Sequence, residues 1–355
     1  MSHYASEVII RKEGNAGRIT LNRPQVVNAL TYPMALAIFK ALKAWAEDDA
    51  VHLVILDGVG DRGLCAGGDL RALYDARREG LHFARRFWRD EYELNALIAT
   101  YPKPYIAMMH GLVMGGGIGL SAHGSHRIVT DGAKLAMPEC TVGLVPDVGG
   151  SWLLAHAPDD MGLYLGLSGA RMGPSDAIQA GFASHYVPAE RFHRLAAQLA
   201  KAPSAIAVDE IIADAEAPIP PSPMVADAGE IQRIFSAGSV AAIVSDLNTT
   251  TAAWAQTARD AMLSASPKAL TLAHAMITNA RTLQDLRAAL VVEYRAVMRL
   301  YEDGEFLEGI RAAIIDKDRA PQWQPPRLGE VPGDLASRYL APLPDNGDLV
   351  LPVPI

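Results

Sequence analysis

Two stretches decide the fold class of this chain: Leu64-Cys65-Ala66-Gly67-Gly68-Asp69-Leu70 and Met114-Gly115-Gly116-Gly117-Ile118-Gly119. Each follows a β-rich run, LVILDG at 53–58 and PYIAMMHG at 104–111, and each opens a segment with helical patterning. Glycine has no Cβ, so backbone N–H groups in such a turn can approach a ligand atom closely, and the start of a helix adds partial positive charge. A single glycine turn between strand and helix is ordinarily a packing device. A pair of them can build an oxyanion hole. MGGGIG is no nucleotide loop, because it lacks both the G-x-G-x-x-G and the GK[ST] spacings.

Outward from these turns, EVIIRK and RITLN flank Gly14-Asn15-Ala16-Gly17 and predict a hairpin over 7–22. Met34, Ile38, Leu42 and Trp45 fall at helical spacing after Thr31, and a second helical region covers about 69–100. Beyond the second glycine turn come strands HRIVTD and KLAMP. This alternation predicts an α/β core over residues 1–200. Periodicity alone does not separate a doubly wound sheet from a spiral of ββα turns. AEAPIPPSPMVADAG at 215–229 has four prolines in six positions, which fixes φ and removes backbone donors, so it reads as a linker or extended loop. Residues 201–326 read as a mainly helical region, with helices near 229–237, 248–264, 267–280, 282–303 and 304–316. The proline-rich tail, 327–355, is expected to lie extended on the surface or to be disordered.

The 355 residues exceed the usual single core and suggest two units. A chain 50% apolar and 20% charged is an ordinary folded protein. A net charge of -8 argues against nucleic acid as a partner but leaves room for a small anionic ligand held by local cations and N–H groups. Cys65 and Cys140 lack partners at metal-ligand spacing and read as reduced, buried thiols. No basic segment leading into an apolar run opens the chain, and no membrane-spanning apolar stretch occurs. A cytoplasmic protein without a membrane partner is expected, with a mitochondrial matrix location only if a presequence has been removed.

Four motifs occur in a telling order: LNRPQVVNAL at 21–30, LCAGGDLRAL at 64–73, HGLVMGGGIGLS at 110–121 and AMPECTVGLVPDVGG at 136–150. In these the chain resembles the crotonase (enoyl-CoA hydratase/isomerase) superfamily. The resemblance implies an α/β fold, a crotonase-type spiral of ββα turns with a helical C-terminal region, and an acyl-CoA partner. It places the thioester carbonyl oxygen on the backbone N–H groups of Gly68 and Gly116, and the CoA arm along the backbone around Val26 and Ala66. Two preplaced dipoles would stabilise the negative charge that attack or enolisation puts on that oxygen. No metal or redox cofactor is implied, coenzyme A being part of the substrate. Either a homo-oligomer or a single chain whose C-terminal region covers the same surface is compatible with the resemblance.

The carboxylates narrow the reaction. A hydratase of this superfamily carries one glutamate three residues after its oxyanion glycine and another after a downstream proline. Here the second is Glu139, after Pro138, and the first is replaced by Gly119. Loss of one acid/base group disfavours water addition across a double bond. Asp147, in LVPDVGG, and Glu91, in FWRDEYELN, instead resemble the 3-hydroxyisobutyryl-CoA hydrolase branch, as do SPKALTLAHAMI at 266–277, TLQDLRAALVVEYR at 282–295 and FLEGIRAAIIDKDRAPQWQPP at 306–326. The resemblance covers residues 6 to 326 and is weakest over 201–262.

It implies hydrolysis of a short β-hydroxyacyl-CoA in valine catabolism, with Glu139 either the nucleophile or the general base. Asp147 would bind the substrate hydroxyl or orient water, and Glu91 would contact the substrate. Two alternatives stand beside this: a hydratase or one-base isomerase, and a non-catalytic partner protein that keeps the fold. Read without the family, Glu91 is simply a solvated helix residue. Gly119-Leu120-Ser121-Ala122-His123 falls short of a nucleophile elbow, since His123 stands where the second glycine belongs. His110, His123, His126, His156 and His185 show no metal spacing and read as structural.

Overall fold

The computed structural model describes residues 6–219, 221–344 and 347–353. The first five residues, one proline of the predicted linker (Pro220) and four tail residues lie outside the described residues. The hairpin forms as expected, with β1 (Val8–Glu13) and β2 (Ala16–Leu21) antiparallel about Gly14-Asn15. β3 (Leu53–Gly58), β4 (Tyr105–Met109), β6 (His126–Val129) and β8 (His185–Tyr186) extend the sheet in parallel, in the order β1-β2-β3-β4-β6-β8. A smaller parallel sheet pairs β5 (Leu112–Met114) with β7 (Lys134–Ala136).

The two sheets resolve the ambiguity left by periodicity. After β3 the chain crosses to the small layer, where Cys65 bridges Val113, and then enters the helix Leu70–Asp75. After β4 it makes β5 and then the helix Gly116–Ser121. Each turn is strand, short strand, helix, which is the ββα spiral. Both glycine turns thereby fall at the same level of the spiral, side by side.

The main sheet's β3 is buried along four consecutive residues, Leu53 to Leu56, as a strand covered on both faces must be. Ile55, Ile106 and Ile128 face a separate cluster with the helices Ala189–Leu199 and Ala205–Ala215. The second of these helices was assigned to the C-terminal region by the boundary at residue 200, and it belongs with the sheet instead. It and the helix Val240–Thr249 were not anticipated, although both signals were present: Val208, Ile212 and Ala215 recur at helical spacing behind Ser204, and Val240, Ile243, Val244 and Leu247 do so behind Ser239. Ser204 and Ser239 each cap their helix through the side-chain oxygen.

The remaining C-terminal helices share one continuous apolar core with the α/β layers. The long helix Leu81–Ala99 packs against Leu286–Glu302: Trp88 meets Tyr301 edge-on with ring centres 5.7 Å apart, and Tyr92 meets Tyr294 at 6.3 Å. Such aromatic pairs add about 0.5–1.5 kcal/mol beyond area burial. The expectation of an extended or disordered tail is corrected. A 3₁₀ turn (Leu328–Glu330) and a helix (Leu335–Leu340) form, and Leu335 and Leu349 are buried. Arginines on Leu286–Glu302 anchor this segment: Arg295 pairs with Asp348 at 2.7 Å, and Arg299 donates to the carbonyls of Tyr339 (2.7 Å) and Ala341 (2.8 Å). Proline removes donors from the tail but leaves its carbonyls free to accept, which composition alone does not reveal.

Candidate active site

Where the two glycine turns meet the helix Leu81–Ala99, a cavity of about 140 Å³ opens. Gly68, Gly116, Ala66, Glu91, Glu139 and Asp147 all line it, so it gathers every residue singled out from the sequence except Val26. Val26 sits outside, 42% exposed, on a loop joined to the cavity by the Ala66 N–H donating to the Val27 carbonyl at 2.9 Å.

Gly116 is the first residue of its helix, where an N–H has no intrahelical acceptor. Among the described residues neither its N–H nor that of Gly68 has a backbone acceptor. A Cβ on Gly116 would lie 3.3 Å from Gly68 N and 3.0 Å from Glu91 Oε1, so the two amides and the Glu91 carboxyl converge on one small space. A Cβ on Gly68 would meet nothing nearer than Phe87 Cζ at 3.8 Å. The hole is therefore closed by position 116 and open at position 68.

Facing these amides is a wall of acids. Glu139 opens a 3₁₀ turn after Pro138 and is buried, with its Oε2 lacking a hydrogen-bond partner among the described residues. Asp147 is buried and accepts from the Tyr92 hydroxyl at 2.9 Å. Glu91, on the same helix as Tyr92, is 3% exposed, so the solvated-face reading does not hold. Its side chain turns to the glycine turns instead, with Oε1 3.0 Å from where a Cβ on Gly116 would stand.

Desolvation sets the proton affinities. Burial, reinforced by Asp147, pushes Glu91 well above the ordinary carboxyl range, and burial with Asp147 and Glu293 does the same to Glu139. Asp147 is pushed by burial only to about 6, because hydrogen bonds from Tyr92 and Trp88 favour its charged form. The acids are thus separated by environment, the pattern that assigns different proton roles to neighbouring carboxyls. Asp147 carries the charge near neutrality, and Glu91 and Glu139 hold protons more tightly.

Gly119 is also explained by its surroundings. A Cβ there would come within 2.7 Å of Val148 Cβ and 2.8 Å of Asn95 Nδ2. No larger side chain fits without moving the loop that carries Asp147. His123, behind it, donates from Nε2 to the Val148 carbonyl at 2.7 Å and is pushed down to about 4 by burial, so it is a neutral structural group. His110, His126, His156 and His185 likewise find partners: the Gly60 carbonyl, Ser125 and Asp209, the Trp152 carbonyl, and Glu216. Cys65 and Cys140 are free and buried, and among the described residues no His, Cys, Asp or Glu group is placed to hold a metal ion.

Sequence reading missed Tyr92, Trp88, Phe306 and Glu293. The last was detectable: Leu286, Ala289, Leu290, Glu293, Tyr294 and Val297 form the buried stripe of one helix, and Glu293 is the acid in an otherwise apolar face.

The spiral, the paired free amides and the acid wall together define an acyl-CoA enzyme of crotonase type, and the chain belongs to the enoyl-CoA hydratase/isomerase family, whose pattern matches residues 16–340. A Danio rerio protein named 3-hydroxyisobutyryl-CoA hydrolase, mitochondrial, is 38% identical over 99% of this chain and 93% of its own length. The Homo sapiens protein of that name is 37% identical over 92% of this chain and 86% of its own. Among solved structures, an enoyl-CoA hydratase from Rhodobacter sphaeroides is 43% identical and superposes with a TM-score of 0.92, covering 98% of this chain and 100% of that one. A carnitinyl-CoA dehydratase from Mycobacterium thermoresistibile is 40% identical, with a TM-score of 0.91 and coverage of 97% and 98%.

Proposed function

We propose that the protein hydrolyses 3-hydroxyisobutyryl-CoA to 3-hydroxyisobutyrate and CoA. The observation that carries this is the cavity itself: Glu139 and a charged Asp147 face two free amides, while position 119 has no room for a hydratase's further carboxylate. The names of the curated relatives support the same substrate.

In this reading the thioester carbonyl oxygen sits between Gly68 N–H and Gly116 N–H, which stabilise the developing oxyanion without reorganising. Glu139, in its ionised form, has two available roles. As general base it takes a proton from water as the oxygen adds to the carbonyl carbon. The tetrahedral oxyanion then collapses, breaking the C–S bond, and the CoA thiolate takes up the proton. As nucleophile it forms a mixed anhydride, expelling CoA, and water then cleaves the anhydride. Asp147 accepts a hydrogen bond from the β-hydroxyl, and Glu91, in its neutral form, donates toward the acyl group.

Coenzyme A enters as part of the substrate, along the Ala66 turn and past the Val26 loop, and no metal or redox group is required by these steps. Among the described residues no helix is long and apolar enough to cross a membrane. The relatives' names place those proteins in mitochondria. For this chain a cytoplasmic location is our reading, with the matrix as the alternative that cell fractionation decides. Light scattering decides between a homo-oligomer and a single chain whose C-terminal region covers the same surface.

The deciding experiment follows thiol release from 3-hydroxyisobutyryl-CoA and hydration of crotonyl-CoA side by side. Thiol release with negligible hydration is expected. Rapid hydration without thiol release would instead align this chain with the names of the two solved structures.

A further inference from the structure

We propose that Glu293, on the C-terminal helix Leu286–Glu302, is a positioning residue that clamps the turn following Asp147 and thereby aims the Asp147 carboxylate into the cavity. This rests on the hydrolase reading above.

The turn Asp147–Ser151 is unusual in its backbone. Val148 has φ +53, a left-handed conformation that a β-branched residue adopts only when its surroundings impose it. Five hydrogen bonds impose it here. The Gly150 N–H closes the turn onto the Asp147 carbonyl at 2.7 Å, and the His123 ring holds the Val148 carbonyl. The other three come from Glu293. Its Oε2 accepts from Gly149 N–H at 2.7 Å, and its Oε1 accepts from Ser151 N–H at 3.0 Å and from the Ser151 hydroxyl at 2.5 Å. The same helix also seats the turn sterically, since a Cβ on Gly149 would come within 2.6 Å of Leu286 Cδ1.

Glu293 is fully buried and, among the described residues, no cation pairs with it. Burial pushes its carboxyl up to about 8, against the pull of those three hydrogen bonds. An apolar residue of similar size would pack there without that cost of desolvation. What a hydrophobe cannot do is receive two adjacent N–H groups and a hydroxyl from a strained turn. Loss of these acceptors frees Val148 to relax toward negative φ, and Asp147, the preceding residue, loses its fixed direction. The helix that supplies Glu293 lies outside the spiral, so this clamp makes the C-terminal region a part of the active site rather than a cover for it.

The test is Glu293→Gln, which keeps shape but offers one acceptor oxygen and turns an NH₂ toward one of the N–H donors. Crystal structures of wild type and E293Q give a readout independent of any substrate: Val148 is expected to leave the left-handed region and the Tyr92–Asp147 hydrogen bond to open. An unchanged turn overturns the proposal. In kinetics, kcat for 3-hydroxyisobutyryl-CoA should fall about 10²-fold, the scale of a misplaced group near 1 Å, with KM little altered. Preference over isobutyryl-CoA should shrink with it. In a Val148→Gly background, where the turn is unstrained, E293Q should cost less than about tenfold, because glycine holds positive φ without help. An equal loss in both backgrounds would mean that Glu293 contributes packing only. A wild-type enzyme inert toward 3-hydroxyisobutyryl-CoA overturns the hydrolase reading, while the pair of crystal structures still judges the clamp.

Discussion

The two walls of the cavity are built by different means. The amide wall, Gly68 and Gly116, comes from two turns at equivalent positions of one spiral, and its donors are backbone groups with no side chain to titrate. The acid wall draws Glu91, Glu139 and Asp147 from three separate segments, with Glu293 behind the Asp147 turn on a fourth, each buried and each with its carboxyl pushed upward. In the proposed hydrolase reading, the amide wall would treat all thioesters alike, because every one presents the same carbonyl. The acid wall would distinguish them, because burying a carboxyl without a partner is costly, so a substrate that supplies the missing donor is favoured.

This division has measurable consequences, the largest at Asp147. Wild type should prefer 3-hydroxyisobutyryl-CoA over isobutyryl-CoA by up to about 10⁴-fold, since a site built for a hydroxyl rejects the analogue lacking it. Asp147→Ala should collapse that ratio of kcat/KM values. Equal slowing of both substrates would shift Asp147's role from selection to the attacking water. Next in size, Gly116→Ala should lower turnover by about 10²–10³, the cost of a lost oxyanion donor, as its Cβ fills the space between the amides. Gly68→Ala, pointing into open space, should cost only a few-fold, and a comparable loss from both substitutions would contradict the hole's geometry.

Glu139→Gln should reduce thiol release at least about 10²-fold with CoA binding retained, which isothermal titration can verify. The smallest effect concerns stability. Glu293 and Asp147 have folded pKa values above their ordinary ones, so the native state binds more protons than the unfolded chain between about pH 4 and pH 8. Their contribution is present at the acid end of that window and is lost as pH rises through the folded values. The melting temperature should therefore fall by a few degrees between pH 5 and about pH 8, and less steeply in E293Q. A melting temperature that rises over that range would show the acids to be better solvated than their burial implies.

Much of this was legible in the chain. The hairpin, the helix from Tyr32 and both glycine turns lie in short motifs where local spacing is enough, because a turn or a cap involves neighbours in sequence. The acids Glu139 and Asp147 were singled out by the family resemblance of the motif that carries them. The two helices within 201–262 were legible in principle but stood among prolines and alanines that gave no family anchor. The tail was misread because its order comes from Arg295 and Arg299 on another helix.

The sequence by itself showed an α/β pattern with two glycine turns after strands and no carboxylate at position 119, and its resemblance to the crotonase superfamily implied the acyl-CoA substrate. Only the tertiary structure decided which acids work together. Glu91 and Glu293 each look like one more charge on a helix, and Tyr92 like one more aromatic. Their roles arise from burial, which excludes water and turns a separation of a few ångströms into a large electrostatic effect. Burial is a property of how distant segments pack, and it can be read only when those segments are brought together.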